Sequence, residues 1–131
     1  MIKSLLLVYC LTMTYGCKKN PLDYRSKYIG EYHFTFHEIV NTPLHYSDTA
    51  YFIEGTVDYG MNSSSITISF SPSDSLSFSS IEATVYEDGT LTGFRNNHGS
   101  GEFLASNKMK YHLQGHSVAS SYDGYLLGER K

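Results

Sequence analysis

The chain has 131 residues, 10 basic against 13 acidic side chains, and a formal net charge of −3. That length is one ordinary domain, and the mildly acidic balance excludes the basic stripe of a nucleic-acid binder. An aromatic content of 15%, from 12 Tyr and 7 Phe, excludes disorder, and 2 Cys are too few for a disulfide-stapled scaffold.

Lys3 precedes an apolar run from Ser4 to Met13. The run is about half the ~20 residues that a membrane-spanning helix needs, which fits the apolar region of a secretory signal. It leads through Thr14 and Tyr15 to Gly16-Cys17, then at once to Lys18-Lys19-Asn20-Pro21. Gly16-Cys17 in this setting resembles the lipobox of bacterial lipoproteins. The resemblance implies removal of residues 1–16, a diacylglyceryl thioether on Cys17 and an acylated new amino terminus. The alternative is an ordinary secreted chain cut near Gly16 with Cys17 free. One acyl chain holds a protein to a bilayer only marginally, whereas two or three hold it firmly. Residues 17–27 are expected to be the lipidated Cys and a polar tether, leaving 28–131 as a single domain.

From Tyr28 onward the apolar residues recur with period two. Tyr32, Phe34 and Phe36 alternate with His33, Thr35 and His37. The pattern returns at Tyr51 to Tyr59, at Ile66 to Phe70 and again at Leu76 and Phe78. It then continues through Ile81 to Val85, Met109 to Leu113, and Tyr125 to Gly128. Each run reads as a strand with one wet face, as in an antiparallel sheet. Asp88-Gly89 is a hairpin signal. Gly60 to Ser63, Pro72 to Asp74, Asn96 to Gly101 and Asp123-Gly124 read as further turns. The expectation is an all-β fold of about seven or eight strands, either a small antiparallel β-barrel or a two-sheet β-sandwich, with the last strand closing against the first.

Tyr28-Ile29-Gly30-Glu31-Tyr32-His33-Phe34 after such a tether resembles the opening of small β-rich lipoproteins of Bacteroides-type bacteria. The Glu87-Asp88-Gly89 turn, Gly99-Ser100-Gly101-Glu102-Phe103 and the closing Leu127-Gly128-Glu129-Arg130 extend that resemblance. It implies a fold and a place in the cell envelope, and no activity. Gly30-Glu31-Tyr32 is also similar to the G-x-W opening of lipocalins, with Tyr in the place of Trp.

The six His residues invite a metal site. His33 and His37 share a face but stand about 13 Å apart along one strand, too far to share a zinc ion held at about 2.1 Å. A pairing such as His33 with His112 would need a neighbouring strand, so no metal ligand is assigned. His98-Gly99-Ser100-Gly101 lacks the spacing of a nucleophile elbow and reads as a tight turn. Glu87-Asp88 falls in a hairpin. No catalytic residue or cofactor site is assigned, and the chain is not expected to be an enzyme. Tyr46 and Tyr122 fall in or near expected loops, where Tyr suits recognition. Asp48-Thr49-Ala50 and Asp74-Ser75-Leu76 resemble the O-glycosylation sequon of Bacteroides-type bacteria, which makes Thr49 and Ser75 candidate glycan sites.

The expected function is a binding or interaction module, lipid-anchored in the cell envelope at the outer membrane. Its partner would be a protein, a glycan or a small ligand, and not a nucleic acid. A lipocalin-like carrier of a small apolar ligand is the alternative, and a small envelope hydrolase comes third. A carrier needs an apolar interior open at one end; a docking module needs an exposed aromatic patch.

Overall fold

Strand Gly30–Thr42 (β1) pairs antiparallel both with the next strand in the chain and with the last. That double pairing closes the sheet on itself and decides for a barrel over a sandwich. The computed structural model describes residues 23–72, 76, 78–94 and 98–131. Within them, β1 is followed by β2 (His45–Tyr59), β3 (Ser65–Phe70), β4 (Ser80–Val85) and β5 (Thr90–Gly93). Then come β6 (Gly99–Ala105), β7 (Lys108–His116) and β8 (Ser121–Arg130). Every strand pairs with its neighbour in sequence, so the barrel is antiparallel throughout. The signal segment, Cys17, the first part of the tether and Ser75 lie outside the described residues.

Alternation along each strand fills the barrel. Tyr32, Phe34 and Phe36 of β1 are at most 2% exposed, whereas Glu31 and His33 between and before them face water. The same inward set continues through Ile53, Val57, Ile66, Ile68, Ile81, Val85, Leu91, Met109, Tyr111 and Leu126. Eight strands enclose an interior just wide enough for such side chains, and burying each large apolar one contributes about 2 kcal/mol. Interior rings meet edge to face, as Phe34 and Phe70 do at 5.3 Å, the arrangement ring quadrupoles favour.

The lower end, where β2–β3, β4–β5 and β6–β7 turn, is plugged by a short 3-10 helix, Tyr24–Lys27, capped by the Asp23 side chain. These residues were expected in the tether because they are polar and aperiodic. Their polarity is satisfied internally instead. Arg25 is buried and donates to the carbonyls of Asn62 and Ser65, and Tyr24 donates its hydroxyl to the carbonyl of Val85. Tyr28 stacks on Phe103 at 3.8 Å, and Arg130 donates to the carbonyl of Lys27.

The Asp88-Gly89 hairpin stands as expected, with Gly89 at φ 88° between β4 and β5 and the Asp88 carboxylate accepting from the Thr90 amide at 2.9 Å. Other turn expectations are corrected. Gly99-Ser100-Gly101 opens strand β6, and no unusual φ is needed there. A Cβ on Gly99 would lie 2.5 Å from the Tyr111 hydroxyl, and one on Gly101 would lie 2.2 Å from the Lys110 carbonyl oxygen. Close approach, not turning, requires glycine at both. Asp123-Gly124 lies inside β8, which is longer than the Tyr125–Gly128 stretch foreseen. Tyr46 and Tyr122 are strand residues of β2 and β8 and not loop residues, because β1–β2 and β7–β8 run past the other strands as tall hairpins. Leu76 and Phe78 lie outside any strand; they pack on the core from the β3–β4 connection.

Candidate functional site

The seal on the interior ends at one level. Phe36 is fully buried, yet Glu38, two residues on and therefore on the same inward face of β1, is half-buried, as are Tyr51, Leu113 and Tyr122 around it. Register fixes the ring of positions at this level. Glu38 lies opposite Thr49 on β2 and Gly124 on β8; Gly124 lies opposite Leu113 on β7, and Leu113 opposite Gly99 on β6. The upper mouth of the barrel thus holds a carboxylate above an aromatic and aliphatic floor.

Two tyrosines attend that carboxylate. Tyr51, on β2 opposite Phe36, donates its hydroxyl to Glu38 Oε2 at 3.4 Å. Tyr122, one inward position above Gly124, stands on the other side of Glu38 and feels its charge. Burial first, and then the charge of Glu38, push the Tyr122 hydroxyl up to about 12. Rings complete the surround: Phe36 stacks near Tyr51 at 6.4 Å and meets Phe78 edge-on at 5.5 Å.

Across the barrel, Tyr111 runs its ring against Gly99. Its hydroxyl is buried with no hydrogen-bond partner among the described residues, and burial pushes it up to about 12. A buried hydroxyl left unpaired costs about 1–3 kcal/mol, so such a group calls for an explanation.

The outer wall carries different chemistry. His33 pairs with Glu54, His37 with Asp48, and His112 with Asp123 at 3.0 Å. His33 and His112 stand on strands separated by β8, and each has its own carboxylate. Among the described residues no three His, Cys, Asp or Glu side chains converge as a metal site. His112 lies flat on Tyr125, centroids 4.3 Å apart. That pair borders a shallow outer concavity of about 500 Å³ over β5–β8, with Thr92, Ser100, Glu102, Lys110 and Leu127 on its rim. Phe52, 86% exposed, and Leu127 flank Thr35 on neighbouring strands.

No protein-family model matches the chain, and no curated protein matches it. Among solved structures it is similar to Odorant Binding Protein OBP1, at 12% identity over 81% of this chain and 73% of that one, with a TM-score of 0.45. The likeness is to an odorant-binding β-barrel.

Of the sequence candidates, Thr49 is exposed on β2 at the mouth, beside Glu38 in register, whereas Ser75 and Cys17 lie outside the described residues. Tyr122 joins the mouth; Tyr46 is exposed near the tip of the β1–β2 hairpin. Sequence reasoning missed Glu38, Tyr51 and Tyr111. The signal was present for one of them, since Glu38 continues the inward period of Tyr32, Phe34 and Phe36.

Proposed function

We propose that this chain is a small-ligand-binding barrel, held by a lipidated Cys17 at the outer membrane of a bacterial envelope. One observation carries the ligand reading: an inward-facing, half-buried carboxylate, attended by two tyrosines, stands at the upper end of a closed apolar barrel. Small-molecule sites in proteins are concave and mostly apolar, with a few placed polar groups. The unpartnered Tyr111 hydroxyl supports the same end, because a ligand acceptor there would satisfy it. Binding, and not catalysis, is the role proposed. The sequence supports the anchor, and Thr49 and Ser75 remain proposed glycan sites on the same reading.

The test is methyl NMR on the full-length protein in detergent, titrated with 2-phenylethanol, a neutral small aromatic. Saturable shifts at Leu113 and at Val40, the next inward position of β1 beyond Glu38 and opposite Tyr122, abolished by Val40→Trp, are the expected result. Shifts at Leu127 alone would instead favour the second reading, docking on the outer wall at Phe52 and Leu127. For the anchor, a fatty-acid analogue should label the wild type and not Cys17→Ala.

A further inference from the structure

Resting on the reading of the upper barrel as a ligand site, we infer that its ligand is an organic cation, an ammonium group on an aromatic or apolar body, with the ammonium seated on Glu38. The charge pattern along the upper wall sets this inward residue apart from its neighbours. The outward carboxylates beside it have basic side-chain partners: Asp48 has His37, Glu54 has His33 and Lys131, and Asp123 has His112. Further down the wall, Glu102 has Lys110 and Glu129 has Lys108. Glu38 forms no ion pair with any described Lys, Arg or His, although it faces inward where a lone charge is hardest to accommodate.

Its hydrogen bond comes from a neutral phenol, that of Tyr51. An ionised carboxylate offers about four acceptor positions, so Tyr51 holds it in place and leaves positions open for a donor from outside. An ammonium brings three N–H donors and the missing positive charge. The half-buried rings of Tyr51, Phe78 and Tyr122 at this end carry faces whose negative centres attract the same cation. An anionic ligand would meet like charge at Glu38.

Tyr111 marks the far side. Its hydroxyl at Gly99 lies at the level of Glu38, three strands round the wall, an arc of about 14 Å. A ligand body spanning the upper end extends from the carboxylate toward the Tyr111 side of the barrel.

Three probes of matched shape separate the possibilities: phenethylammonium, 2-phenylethanol and 3-phenylpropanoate. Each is titrated calorimetrically into full-length protein in detergent against a micelle blank, and followed by the Leu113 methyl signal. The cation is expected to bind roughly 10- to 100-fold tighter than the alcohol, and the anion more weakly than either. Glu38→Gln keeps an acceptor for the Tyr51 hydroxyl and should erase the cation's advantage over the alcohol. Equal binding of all three at Leu113, or an advantage that survives in Glu38→Gln, overturns the cation assignment and leaves the ligand site standing. No shift at Leu113 with any probe overturns the ligand-site reading itself.

Discussion

Arg25 reaches across 40 residues of sequence to donate to the carbonyl of Ser65 at 2.9 Å. The same guanidinium nitrogen donates to the Asn62 carbonyl at 2.8 Å, and the neighbouring nitrogens clasp the Asp23 carboxylate. A 3-10 helix of four residues thereby holds the β2–β3 turn and closes the lower end. Arg25→Ala leaves buried carbonyls without donors, and should cost about 2–3 kcal/mol in urea unfolding. A chain begun at Tyr28 should lose at least as much, whereas one begun at Asp23 should match the longer protein. Equal stability of the Tyr28 and Asp23 forms would show that the helix is ornamental.

Glycine serves as room for backbone in this barrel, and two positions test it against each other. A Cβ on Gly101 would stand 2.2 Å from the Lys110 carbonyl oxygen, an atom fixed in the β6–β7 ladder. On Gly115 the nearest atom would be Tyr122 Cβ at 3.6 Å, an ordinary contact. Gly101→Ala should therefore cost about 3 kcal/mol or prevent folding, while Gly115→Ala should change stability little. Comparable melting temperatures for the two variants would contradict the close-approach account.

The fold was legible wherever its cause is local. Period two placed Tyr32, Phe34, Phe36, Ile66, Ile68 and Met109 on the inward face because alternation needs only neighbours in sequence. Gly89 was legible because a hairpin demands its φ. Gly99, Gly101 and Gly124 were not, since the reason for each is a ring or carbonyl from another strand, and sequence shows a glycine without its neighbours. Arg25 was misplaced for a like reason: its polarity looks solvated until Asn62 and Ser65 are brought to it. Barrel closure depends on the pairing of β1 with β8, the contact most distant in sequence. The candidate site was half legible, for Glu38 stands in the inward period but its tyrosines come from β2 and β8.

Acid should loosen the lower end in a defined window. The side-chain bond from Arg25 holds the Asp23 carboxyl below its ordinary value. A carboxyl depressed in the folded state adds stability above its unfolded value of about 3.9, and that stability is lost as pH falls through the lower folded value. Wild type should therefore lose stability below about pH 4, and Asp23→Asn should be weaker at pH 7 with a flatter acid limb. The difference between the two should shrink steadily toward pH 2. Thermal melts at several pH values read it directly, and a constant difference would remove Asp23 from the account.

Alkali should act through the interior. Burial alone raises the Tyr111 hydroxyl to about 12, while an unfolded tyrosine ionises near 10. Below about pH 10 both states keep the proton and the group adds no pH dependence. Between the two values the unfolded chain releases its proton and the folded one does not, so stability declines with rising pH. Tyr122, also raised to about 12, contributes to the same limb. Burial raises Tyr32 as well, so Tyr111→Phe removes one of several late titrations, and with it a buried hydroxyl that has no partner among the described residues. It should be more stable than wild type by about 1 kcal/mol at pH 7, with a shallower decline between pH 10 and 12. Circular dichroism melts and tyrosinate absorbance across that range measure both effects. A variant less stable than wild type at neutral pH would mean that the hydroxyl is bonded in the folded protein, and Tyr111 would lose its place as a free donor for the ligand.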